Sequence, residues 1–134
     1  MASIPAAFED LFKKETFAHL TTMTADGEPH TTPVWIDYDA DDDLILVNTE
    51  RGRRKERNVA RDPTVSVSMI DPDNPYRFLS VTGVVESTTT EGARDHIDAL
   101  AQRYLGEDEY PTPVETERVI LRIRAEEVIT GDVE

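Results

Sequence analysis

Apolar residues recur along the chain with two periods. Val65, Val67 and Met69 alternate with Ser66 and Ser68, which predicts a half-buried strand, because successive side chains of a strand face opposite sides. Val34, Ile36 and Tyr38 alternate with Trp35 and Asp37, giving one strand over Pro29 to Tyr38. Pro33 has no N–H to donate, so it belongs at an edge or a bulge. Val119, Leu121 and Ile123 mark a final strand, with Arg122 and Arg124 on its other side. Phe17 to Thr24 is threonine-rich and ends at Asp26-Gly27, the signature of a strand running into a hairpin turn. Leu44 to Thr49 is almost wholly apolar and reads as a central strand. Arg77 to Ser87 reads as a long one, with Gly83 at a bulge or close approach. The acidic loop Asp39 to Asp43 and the two-proline turn Asp71 to Pro75 separate these runs.

The second period is helical. Ile97, Leu100, Ala101 and Tyr104 fall at i, i+3, i+4 and i+7 in a helix starting at Thr90, and Gly106 is a good stop. Phe8, Leu11 and Phe12 predict a short N-terminal helix. A third runs from Arg53 or Arg54 to Arg61 and ends before Pro63. Glu107 to Thr116 is a polar, proline-containing loop. Six strands joined mostly by short turns favour antiparallel pairing. Closure into a barrel removes most exposed edges. The expected fold is therefore mainly β, an antiparallel barrel with peripheral helices, in a single domain over residues 1–134.

Composition narrows the function. The chain has 134 residues and a formal net charge of −14, long enough for one sizeable core. The acidic excess argues against general nucleic-acid binding. No apolar run approaches the ~18–20 residues that span a bilayer, and residues 1–7 lack the pattern of a secretory signal. With no cysteine, disulfides, thiolate metal sites and cysteine nucleophiles are excluded. These features fit a cytoplasmic protein without a membrane partner. Only three lysines stand against 28 carboxylates, a surface suited to a salty, halophilic cytoplasm where ions screen self-repulsion.

The positive charge is concentrated. Arg51, Arg53, Arg54, Lys55, Arg57 and Arg61 place six of the 14 basic residues within eleven positions, where an even spread would place about one. One reading is a solvated helix whose cations pair with the abundant carboxylates. The other, which we prefer, is an anion site: arginine forks and a lysine charge suit phosphate oxygens, and Thr49, Gly52 and a helix start add a hydroxyl and free N–H groups. Other candidates are weak. Asp37-Tyr-Asp-Ala-Asp-Asp-Asp43 resembles a calcium loop, but its sixth and twelfth positions are Asp42 and Asn48 instead of Gly and Glu. His19, His30 and His96 show no metal-ligand spacing, and no nucleophile elbow, P-loop or G-x-G-x-x-G occurs.

The runs Thr32-Pro33-Val34-Trp35, Val47-Asn48-Thr49 and Arg51-Gly52-Arg53-Arg54-Lys55-Glu56-Arg57-Asn58, followed by Arg61-Asp62-Pro63, resemble the pyridoxamine 5′-phosphate oxidase-like split-barrel superfamily. Within it they look most like the deazaflavin branch that uses coenzyme F420. Asp71-Pro-Asp-Asn-Pro-Tyr-Arg-Phe78 and Val81-Thr-Gly-Val84 fit the same branch. The resemblance implies a six-stranded split β-barrel that forms a homodimer, with a cofactor in the groove between subunits. It implies Lys55 as the chief phosphate ligand, with Thr49, Arg54 and Arg57 near it and Asn58 supporting the loop or touching the cofactor. Pro33, Val34 and Trp35 would lie along the tricyclic ring, and Tyr76 and Arg77 would arrive from the partner chain. Arg53 is harder to place. Trp35 equally suits a core or interface aromatic, Asn58 a cap, and Tyr76 simple packing in its turn.

The function so implied is an oxidoreductase that transfers a hydride from reduced F420 to an unsaturated small organic substrate. The cofactor carries the hard chemistry, so no dedicated nucleophile is needed. FMN is the alternative cofactor, and a non-enzymatic cofactor- or haem-binding module using one of the histidines is a third reading.

Overall fold

The computed structural model describes residues 2–132. Seven strands form one antiparallel sheet: β1 (Phe17–Met23), β2 (Pro29–Trp35), β3 (Asp37–Asp39), β4 (Leu44–Glu50), β5 (Thr64–Asp71), β6 (Asn74–Thr89) and β7 (Arg118–Asp132). Helix α1 (Arg54–Arg61) lies between β4 and β5, and α2 (Ala93–Leu105) between β6 and β7. The expected N-terminal helix is a 3-10 helix, Ala6–Phe12, with Leu11 and Phe12 buried. The Thr90 start moves to Ala93, and Gly106 terminates α2 in the left-handed region, which glycine enters without a Cβ penalty.

The strand order is β2-β1-β5-β6-β7-β4-β3. The two ends of this sheet, β2 and β3, are separated in the chain by Ile36 alone. A sheet whose edges are one residue apart must curl back on itself, and the result is the split barrel. The alternating run from Pro29 to Tyr38 is therefore two strands and not one. Its first part pairs with β1 and its second with β4, so the sheet has seven strands where six were expected. Ile36, at the change of partner, has neither neighbour for its backbone. Helix α2 supplies both partners: Tyr104 Oη accepts from the Ile36 N–H at 3.1 Å, and Arg103 donates to the Ile36 carbonyl at 3.0 Å. Buried backbone groups left unpaired would be costly.

The alternation seen in β1 and β5 sends Ala18, Leu20, Val65, Val67 and Met69 into the barrel, where they meet Val47, Leu79, Leu121 and Ile123. Burial of each large aliphatic side chain contributes about 1.5–3 kcal/mol. Strand β4 is buried as expected, yet it sits next to the short edge strand β3 rather than at the sheet's centre. Pro33 is on the edge strand β2. The register of β6 against β7 shifts at Thr82/Gly83, and a Cβ on Gly83 would collide with the Arg124 carbonyl oxygen, so Gly83 is both bulge and close approach. A smaller cluster of Ile97, Leu100 and Tyr104 under Trp35 and Tyr110 joins α2 to the barrel seam.

Candidate functional site

An open cleft of about 240 Å³ forms where the end of β2, the end of β4, the start of α1 and the start of β7 converge. One side is apolar: Phe17, Pro33, Val34, Trp35 and Ile97. Trp35 is held flat against Tyr104, with ring centroids 5.0 Å apart and planes 9° from parallel, while Tyr110 meets its edge at 6.0 Å. Trp35 thus packs on α2 and also lines the cleft. The other side is polar and cationic: Asn48, Thr49, Arg53, Lys55 and Arg118, with Tyr110 between. The Arg118 guanidinium lies 4.9 Å over the Tyr110 ring, a cation–π contact that fixes its plane.

The charges in this corner are poorly compensated. Among the described residues, neither Lys55 nor Arg53 makes an ion pair or a side-chain hydrogen bond. Glu50 is 3.8 Å from Arg118, but its Oε2 accepts from the Glu115 and Thr116 N–H groups. Burial pulls the Lys55 ammonium below its ordinary value, and the nearby Arg53 and Arg118 charges add to the shift. Burial likewise lowers Arg118. Cations crowded together at this corner repel one another, and guanidinium and ammonium groups so placed have the chemistry to receive an anion.

The remaining basic residues divide. Arg54 and Arg57 face a second hollow of about 260 Å³ under the β1–β2 hairpin, with Thr24, Asp26 and Asn58. Asn58 is buried and donates to Thr22 Oγ1 at 3.0 Å, and Arg61 donates to Asn58 Oδ1 at 2.8 Å and to the Met23 carbonyl. Asn58 therefore ties α1 to β1. Arg51 pairs with Glu117 at 2.8 Å. So, among the described residues, the pairing expected of a plain solvated helix holds for Arg51 alone of the cations on and before α1.

Tyr76 and Arg77 stand apart from the cleft within this chain. Tyr76 is 64% exposed. Arg77 makes four hydrogen bonds to Asp10, Asp71 and the Ala7 carbonyl, and its guanidinium lies 4.6 Å over Phe8. His19 is exposed on the outer face of β1, whereas His96 is hydrogen-bonded to Asp37 and Asn48. Among the described residues, no three His, Asp or Glu side chains converge on a metal position, and no helix is long and apolar enough to cross a membrane.

The sequence alone did not single out Phe17, Asn48, Ile97, Tyr110 or Arg118 as site residues. Ile97 carries a core signal and Tyr110 sits in a polar loop. Arg118 reaches the cleft because β7 pairs with β4, opposite Glu50, a placement that no local pattern announces.

The family model described as pyridoxamine 5′-phosphate oxidase matches residues 4–131. The chain belongs to this family. It is 30% identical over 113 residues to an F420H(2)-dependent biliverdin reductase of Mycobacterium tuberculosis, a match covering 84% of this chain and 77% of that protein. A solved structure called F420 reductase superposes with a TM-score of 0.82 at 32% identity, covering 94% of this chain and 98% of the other. A conserved hypothetical protein of Mycobacterium tuberculosis aligns at 0.69 and 25% identity, covering 98% and 86%. The split barrel is thus the family's fold, and the cleft lies where its apolar seam meets its basic corner.

Proposed function

We propose that this protein is an oxidoreductase that binds reduced coenzyme F420 in the cleft and passes a hydride to an unsaturated small organic substrate. The observation that carries this reading is the two-sided cleft: a cationic corner of Lys55, Arg53 and Arg118, Lys55 and Arg53 having no carboxylate partner among the described residues, faces an apolar wall of Pro33, Val34 and Trp35. A planar ring with an anionic tail matches both sides. Lys55 and Thr49 hold the phosphate, Trp35 and Pro33 support the ring, and Arg54 and Arg57 give the tail a second positive surface beyond Lys55. When bound, the reduced cofactor supplies the hydride. The chain's own residues bind, orient and exclude water. The F420-dependent biliverdin reductase among the relatives supports F420 and points to a linear tetrapyrrole as one class of acceptor.

The reading includes a second copy of the chain. The outward positions of β2, β1, β5 and β6 carry Thr31, Thr21, Ser66, Ser68, Ser80 and Thr82, which lie side by side in register. Apart from His19, which lies between Phe17 and Thr21 opposite Ser68, these side chains are short and uncharged, in a chain that is 31% charged. They are flanked by the exposed Phe17, Ile70 and Ile129. Phe17 is also in the cleft wall, so a copy docked on this face would roof the cleft. Tyr76 is exposed enough to be offered to the other subunit's site.

Titration of the purified protein with F420 and, separately, with FMN tests the reading. Saturable F420 binding at micromolar concentration, tighter than FMN, is expected. FMN binding without F420 binding would instead make the protein a flavin oxidoreductase, and binding of neither would leave the cleft without this role.

A further inference from the structure

Asn48 lines the cleft, and its amide is engaged on every side. Its Oδ1 accepts from Arg118 Nε at 2.8 Å. Its Nδ2 donates to the Ala93 carbonyl at 2.8 Å and faces His96 Nδ1 at 3.0 Å. A guanidinium can only donate and a carbonyl can only accept. Those two partners therefore decide which end of the amide is oxygen. The second Nδ2 hydrogen then points at His96 Nδ1, which must accept it. The ring's single proton lies on Nε2, where Asp37 Oδ2 receives it at 2.9 Å. Asp37 is also held by Arg103 at 3.2 Å, the same arginine that caps the Ile36 carbonyl at the barrel seam. Burial pushes the Asp37 carboxyl upward, but hydrogen bonds from His96 and the Tyr38 backbone, with the Arg103 charge, hold it below its ordinary value.

We propose that His96 and Asn48 are positioning residues that aim the Arg118 guanidinium into the cleft, and that protonation of His96 undoes the aim. The inference rests on the cleft being a cofactor site. Its logic is donor against acceptor. A proton added at His96 Nδ1 sets two N–H groups face to face. Turning the Asn48 amide over relieves that clash, but it sets an N–H against Arg118 Nε and an oxygen against the Ala93 carbonyl. The flip therefore costs Arg118 the acceptor that orients it. The charged groups around the ring pull in opposite directions. Asp37 of β3 favours the imidazolium. Arg103 of α2, bound to the same carboxylate, and Arg118 of β7 oppose it. Glu50 of β4, 3.8 Å from Arg118, gives the guanidinium a second resting place once Asn48 lets go.

Two substitutions separate positioning from mere packing. His96→Asn keeps an oxygen acceptor for Asn48 but cannot titrate, whereas His96→Leu offers no acceptor. F420 affinity is measured for the native protein and both variants near pH 7.5 and near pH 5.5. The native protein is expected to bind several-fold more weakly at the lower pH. His96→Asn should bind like the native protein at the higher pH and lose much less on acidification. His96→Leu should be several-fold weaker at the higher pH, the worth of one ordinary hydrogen bond lost from the relay. Equal affinity of His96→Leu and the native protein, or an undiminished acid loss in His96→Asn, would overturn the proposal. Should the native protein bind no F420, the cofactor reading fails by itself, and the relay is judged on the protein alone. Nitrogen-15 NMR of the His96 ring at neutral pH is expected to show the Nε2–H tautomer, and an Nδ1–H tautomer would sink the relay.

Discussion

Two groups of cations in this molecule have opposite surroundings. Lys14 and Arg77 are surrounded by acid: Lys14 reaches Asp71 at 2.9 Å and Asp73 at 3.0 Å, and Arg77 reaches Asp10 at 2.8 Å and Asp71 at 2.9 Å. This cluster pins the N-terminal 3-10 helix to the β5–β6 hairpin and is neutralised from within. Lys55 and Arg53, at the opening of the cleft, have no such partners among the described residues, although carboxylates outnumber cations two to one in the chain. A charge matched inside the protein holds the fold together. A charge left unmatched at a half-buried corner is stabilised only when something anionic arrives.

That contrast can be broken by exchanging the readouts. Lys55→Ala should weaken F420 binding by about 1.5–3 kcal/mol, the range of a charge-assisted phosphate contact, and leave the melting temperature nearly unchanged. Relief of crowding with Arg53 and Arg118 can even raise it slightly. Arg77→Ala should do the reverse, lowering stability by about 1–2 kcal/mol in denaturant titrations, because several hydrogen bonds at a partly exposed site are lost. If the partner subunit's cleft uses Arg77, cofactor affinity would fall with it. A smaller effect is read by pH. Burial raises the Asp71 carboxyl, but Lys14, the Asp73 backbone and Arg77 outweigh it and hold it down at about 2, below the ordinary 3.8. A depressed carboxyl stabilises the fold above its unfolded value, and that contribution fades as pH falls from near 3.8 to about 2. Acid unfolding curves should therefore be flatter in this interval for Asp71→Asn. Smallest is Arg54→Ala or Arg57→Ala. These exposed side chains should cost under about 1 kcal/mol in F420 affinity, with a loss that shrinks as salt is added.

Much of this could be read along the chain, and the missing parts have a common cause. Alternation in Val65 to Met69, the turn signal at Asp26-Gly27 and the helical spacing from Ile97 to Tyr104 are local facts, and local facts survive folding. The break at Ile36 is not local. The alternation continues through it unchanged, and only the change of partner from β1 to β4 divides the strand. The site behaves similarly. Pro33, Val34, Trp35, Thr49 and Lys55 sit in contiguous runs and meet in the cleft. Arg54 and Arg57 belong to the same run, yet helical geometry turns them toward another hollow. Arg118, Asn48 and His96 are brought together by sheet register and a helix crossing, so their spacing in the chain carries no trace of it. Whether the cations on and before α1 are paired was likewise out of reach, because composition counts charges without saying which of them touch.

The most direct measurement is a crystal structure of the protein soaked with coenzyme F420. The account predicts the cofactor's phosphate at the Lys55 and Thr49 corner and its ring along Trp35 and Pro33. A ring found elsewhere, with Lys55 and Arg53 still facing solvent alone, would contradict it.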